Sequence, residues 1–92
     1  MAQVVITLKI MPSSPQIDLG KIEQKAKAKI VNFSQNYEMK SEQEPIAFGL
    51  KALKITFAMD ENKGSTDTLE EDINGIEGVN SVEVVDVRRA VG

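Results

Sequence analysis

The chain predicts an α+β fold, a ferredoxin-like βαββαβ sandwich with a four-stranded antiparallel sheet and two helices on one face. Three observations lead there. Apolar residues alternate at period two in three segments, near Val4–Ile10, Leu53–Met59 and Val82–Val87. Two stretches between them carry apolar residues at helical spacing, and short polar connections rich in Pro, Gly, Asn and Asp separate the whole into six elements. With 92 residues the chain suits one domain with one modest core, spanning 1–92.

The first strand follows from Val4, Ile6, Leu8 and Ile10 alternating with Val5, Thr7 and Lys9, and it ends at Met11-Pro12. Ser13-Ser14-Pro15 makes a loop, because prolines remove backbone donors and fix backbone torsions. Asp18 is placed to cap a helix whose buried stripe is Leu19, Ile22, Ala26, Ile30 and Phe33; it fades between Asn32 and Asn36. Lys21, Lys25 and Lys29 recur every four residues on its outer side and read as a solvated face.

Tyr37, Met39 and Ser41 alternating with Glu38, Lys40 and Glu42 suit a charged edge strand. The clearest strand follows, with Leu53, Ile55, Phe57 and Met59 set against Ala52, Lys54, Thr56 and Ala58, and it stops at the polar turn Asp60–Gly64. Ser65 or Thr66 caps a second helix with Asp67 and Glu70 in its first turn, where negative charge suits the helix dipole, and Leu69, Ile73 and Ile76 form its buried face. Gly75 and Gly78 mark its end. In the last strand Val82 and Val84 keep one phase while Val85 and Val87 fall on the other: either a bulge shifts the phase or both faces are covered. This topology places the last strand at a sheet edge beside the first and leaves one sheet face open.

The composition narrows the function. Cys and His are both absent, which removes disulfides, structural zinc, thiolate nucleophiles and imidazole acid–base catalysis. The net charge of −3 repels a phosphate backbone, so nucleic acid is not expected as a direct partner. No apolar run reaches a membrane span and the N-terminus lacks a charged, cleavable leader, so a cytoplasmic protein is expected. Glu70, Glu71 and Asp72 diverge around a helix and complete no metal-ligand set, and Gly64-Ser65-Thr66 lacks the spacing and lysine of a phosphate loop. No catalytic residue, metal or cofactor is expected.

Two features remain. Phe48 lies between Pro45 and Gly49 in Glu44-Pro45-Ile46-Ala47-Phe48-Gly49-Leu50, where the backbone cannot be a regular central strand. It is either a small core aromatic or a rigid side chain presented to a partner pocket, and the following strand has its inward set complete without it. Arg88 and Arg89 end the last strand; they are either solvated, as arginines near a terminus usually are, or a cationic charge at a defined place on an acidic protein, able to engage phosphate, carboxylate or a metal site in a partner.

Glu44–Ile55, the acidic turn Asp60–Lys63, the helix start Thr66–Glu71 and the ending Val79–Val84 resemble the guanine-nucleotide-exchange domain of the translation elongation factor 1-beta family, in its short archaeal form. The resemblance covers nearly the whole chain and is strongest from Glu44 onward. It implies exchange of GDP for GTP on the elongation factor 1-alpha GTPase, which carries aminoacyl-tRNA and holds nucleotide and magnesium itself. In the family an aromatic matching Phe48 enters a pocket of the GTPase, and a basic residue near the C-terminus, matching Arg89 most closely, reaches toward the magnesium and phosphate site. The eukaryotic pattern has a terminal Lys where this chain has Arg, with Arg88 adjacent, so both arginines are candidates and Arg89 comes first. Such a factor is not an enzyme: it acts by binding and displacement. The alternative from another class is a ferredoxin-like regulatory or oligomerising domain that binds a small metabolite on an open face made apolar by Val5, Val85 and Val87.

Overall fold

The computed structural model describes residues 3–90, and its elements follow the expected order. They are β1 (Gln3–Pro12), α1 (Leu19–Ser34), β2 (Met39–Pro45), β3 (Lys51–Asp60), α2 (Asp67–Asn74) and β4 (Val79–Ala90). The sheet runs β2-β3-β1-β4 with every neighbouring pair antiparallel, so the architecture is the ferredoxin-like sandwich and β4 is an edge beside β1.

Alternation explains the core. Ile6, Leu8 and Ile10 of β1 lie directly opposite Phe57, Ile55 and Leu53 of β3, which gives one continuous apolar row under the helices. Leu19, Ile22, Ala26 and Ile30 of α1, with Leu69 and Ile73 of α2 and Ile76 just beyond it, close that row from above. Each large aliphatic buried in this way contributes about 1.5–3 kcal/mol, so this layer dominates the stability of the domain.

Local signals set the helix ends. The Asp18 carboxylate accepts a hydrogen bond from the Gly20 N–H at 2.9 Å, and α1 stops where Gln35 turns left-handed (φ 58°) and donates its N–H to the Val31 carbonyl at 2.7 Å. At the start of α2 the bond to a helix N–H comes from Ser65, and Thr66, the N-cap residue, makes none with its side chain. Ser65 Oγ accepts from the Asp67 N–H at 3.1 Å, while the Thr66 hydroxyl donates to the Glu70 carboxylate at 2.7 Å.

The structure departs from the sequence expectation at β2, which runs Met39–Pro45 instead of starting at Tyr37. The Asn36 side-chain oxygen accepts the Glu38 N–H at 3.0 Å, and this local turn delays the strand by two residues. At the other end the strand includes Pro45, because an edge strand can dispense with one outward N–H. The phase conflict in β4 is resolved as a bulge: Leu8 pairs with Val84 but Thr7 pairs with Asp86, so Val85 is the extra residue.

Candidate functional site

Phe48 sits at the tip of the β2–β3 connection with 94% of its surface exposed, so it is no part of the core. The connection is short and internally bonded: the Ile46 N–H reaches the Leu50 carbonyl at 2.7 Å, and the Leu50 N–H reaches that of Ala47 at 3.3 Å. Both central residues of the Ala47–Leu50 turn have positive φ, 63° at Phe48 and 77° at Gly49, which is the signature of a type I′ hairpin turn. That turn ordinarily takes Asn-Gly or Asp-Gly; an aromatic side chain in the left-handed region costs roughly 1–2 kcal/mol. Gln35 is the other non-glycine residue with positive φ among those described, and it has the ordinary excuse of ending a helix. Phe48 has none. A bulky apolar side chain is thus held in a costly conformation and given to solvent.

The base of this hairpin is tied down. Glu44, immediately before Pro45, forms an ion pair with Lys54 across the sheet. This contact lowers the carboxyl pKa of Glu44 and raises the ammonium pKa of Lys54, in each case through the hydrogen bond between them first.

Arg88 and Arg89 lie in register with Val5 and Val4 of β1, on opposite faces of the sheet. Arg89 shares the helix-side row, and its guanidinium is 3.1 Å from the Glu61 carboxylate in the turn after β3. Arg88 is on the open face and bonds Asp86 at 2.9 Å. The bulge at Val85 decides this assignment: without it the phase set by Val82 and Val84 would carry on to Arg88 and turn Arg89 outward.

The structure puts the two neighbouring arginines on opposite faces at one end of the sheet and leaves Phe48 far from both. Phe48 adjoins the start of β3, whereas Arg89 aligns through Val4 with Met59 near its end. At about 3.3 Å per residue the ten residues of β3 put roughly 30 Å between them, most of the 42 Å long axis.

The open face between these ends is polar. Lys9 and Lys54 face one another across β1 and β3, flanked by Glu83 and Glu42, and the Thr7 and Thr56 hydroxyls bond at 3.0 Å. The three valines do not gather there, since Val87 aligns with Ile6 on the helix side and Val85 is the bulged residue. Of the α1 lysines, Lys21 and Lys25 are exposed and Lys29 is half-buried, and Lys25 and Lys29 line a groove beside α2 with Glu71, Asp72 and Glu77. Among the described residues no cluster of three or more acidic groups is arranged to hold a metal ion, and no helix is long and apolar enough to cross a membrane.

Sequence reasoning passed over two residues at the arginine end. Tyr37 is 85% exposed and borders a shallow groove of about 530 Å³ with Val5, Lys40, Thr56 and Ala58. The sequence reading counts Tyr37 as the first residue of the edge strand, and its exposure follows from the strand starting two residues later, at Met39. Glu61 carried none, because its contact with Arg89 depends on the register of β3, β1 and β4.

Comparison with known proteins gives the family of the chain. Residues 5–90 match the family model described as the EF-1 guanine nucleotide exchange domain. The chain belongs to this family. Proteins named elongation factor 1-beta are similar along almost their whole length: that of Methanothermobacter thermautotrophicus is 42% identical over 89 residues, covering 97% of this chain and 98% of the relative. That of Sulfolobus acidocaldarius is 46% identical over 88 residues, covering 94% of each, and that of Aeropyrum pernix is 42% identical over 91 residues, covering 97% and 98%. The exchange-domain match takes in Phe48, Glu61, Arg88 and Arg89.

Proposed function

We propose that this protein is a guanine-nucleotide exchange factor for the elongation factor 1-alpha GTPase, acting in the cytoplasm to release GDP so that GTP can bind. The observation that carries the reading is Phe48, an exposed aromatic kept in the left-handed region at a conformational cost, on a chain of the exchange-domain family. A rigid apolar projection of this kind is suited to filling a partner pocket. The GTPase, not this chain, holds nucleotide and magnesium.

The mechanism is linkage. A factor that binds the nucleotide-free GTPase more tightly than the GDP form weakens GDP by the same ratio. Each tenfold loosening needs about 1.4 kcal/mol of differential contact. Phe48 supplies apolar contact at one end of the sheet; Arg89, with Arg88 beside it, supplies positive charge at the other. A guanidinium brought to the magnesium site disfavours the metal by like-charge repulsion and competes for its anionic ligands. The roughly 30 Å between the two ends means that they engage separate places on the GTPase. No covalent bond is made or broken.

The test is release of fluorescent GDP from the purified GTPase, with and without stoichiometric protein. Wild type accelerates release, and Phe48→Ala and Arg89→Ala each lose most of that acceleration while keeping the wild-type circular dichroism spectrum. Unchanged release with wild type would overturn the function.

A further inference from the structure

We propose that Glu61 is the positioning residue for Arg89, holding its guanidinium ready for the anionic site of the GTPase; this rests on the exchange-factor reading. Arginine has a long side chain with many rotamers, and that of Arg89 is 75% exposed, so packing does not fix it. Among the described residues its one ion-pair partner is Glu61, at 3.1 Å. The contact is built by non-local features. The bulge at Val85 rotates β4 so that Arg89, not Arg88, emerges on the helix side. The turn after β3 then places Glu61 there, and this turn is itself held by the Asp60 carboxylate accepting the Asn62 N–H at 2.9 Å.

The pair does little for stability, since exposed ion pairs are nearly neutral in that respect. Its consequence is orientation. Losing one partner frees the arginine to sample its other rotamers, and the ordering then has to happen when the GTPase binds. Arg88 lacks a comparable anchor: its partner Asp86 is two residues away on the same strand, so that contact reports nothing about the rest of the fold. Of the two adjacent arginines, the one tied to a different element is the one with a defined direction.

The experiment combines GDP-release kinetics on the complete GTPase with a double-mutant cycle over wild type, Glu61→Gln, Arg89→Ala and the pair, plus a 15N relaxation measurement at the Arg89 side-chain Nε. Glu61→Gln is expected to slow exchange about twofold to fivefold, the range an exposed ion pair spans. The effect should disappear in the Arg89→Ala background, and the Nε heteronuclear NOE should fall with an unchanged melting temperature. Glu61→Asp should restore part of the rate. If wild type accelerates release and Arg89→Ala is slow, yet Glu61→Gln exchanges normally or faster, the positioning role is wrong while the exchange function stands. A Glu61→Gln defect that persists without Arg89 overturns it too. If wild type does nothing to GDP release, the exchange function falls and the positioning role falls with it.

Discussion

The two ends of the sheet solve the same problem by different means. At one end Phe48 is aimed by the backbone: two successive left-handed residues and two hydrogen bonds leave the turn little freedom. At the other end Arg89 is aimed by side-chain charge, its guanidinium resting on the Glu61 carboxylate of another element, while Arg88 pairs only with Asp86 of its own strand. The first device is a backbone conformation that salt does not screen, apart from the Glu44–Lys54 pair at its base; the second is adjustable and rests wholly on a screened pair. The difference teaches that an exposed side chain can be fixed either by spending backbone conformation or by pairing charge, and that the two leave different fingerprints.

The largest effect expected is in the variant that breaks both ends. Because the ends are roughly 30 Å apart along β3, Phe48→Ala and Arg89→Ala should act independently, so their combination should slow GDP release by the product of the two separate factors, about 100-fold or more if each removes a hot spot. A double variant no slower than the worse single would show that the ends share one step. The next effect concerns the backbone device alone. Gly49→Ala places a Cβ in open space, with nothing within 4 Å, so its penalty comes only from φ 77°. It should cost about 1 kcal/mol, or several degrees of melting temperature, and slow exchange through the Phe48 end.

The smallest effect lies away from both ends and serves as the control. Glu23 of α1 accepts hydrogen bonds from Lys27 at 2.8 Å and from Ser41 of β2 at 3.1 Å. The Lys27 contact above all draws its pKa below the usual 4.5, against the opposing effect of burial. A lowered folded-state pKa means that the stabilisation is complete above 4.5 and is lost as the pH falls below that value through the folded one. Glu23→Gln should therefore cost no more than about 0.5 kcal/mol at neutral pH, a cost that shrinks toward zero in strong acid, with exchange unchanged. Thermal melts across pH read the first part and GDP release the second.

The same contrast explains what was legible in the sequence. β1, β3 and the buried stripes of both helices are readable because period and burial coincide along a single segment, except at the end of α1, where Phe33 is only partly buried and Ser34, its hydroxyl bonded to the Ile30 carbonyl, is buried instead. The start of β2 is not readable, because the strand is mostly polar and Asn36 sets its boundary through a side-chain bond. In β4 the clash between Val84 and Val85 announced that something happens, but the choice between a bulge and double coverage needed the pairing with Thr7 and Leu8. Phe48 was legible as an aromatic out of place, and its left-handed torsion was not, since Phe is a poor candidate for that region. The separation of Phe48 from Arg89 follows from the expected strand order, since β3 and β4 both run antiparallel to β1, whereas the approach of Glu61 to Arg89 is a property of register, which no local pattern contains.

The most direct test replaces Phe48 with the residue its turn would ordinarily choose. Phe48→Asn creates an Asn-Gly type I′ turn and relieves the left-handed aromatic, so thermal unfolding should show a domain more stable by about 1 kcal/mol. GDP release from the GTPase, measured on the same sample, should be slower by about tenfold or more. A stabilised protein that no longer exchanges nucleotide is the predicted result; a variant that keeps full exchange, or that melts many degrees lower, would contradict the account.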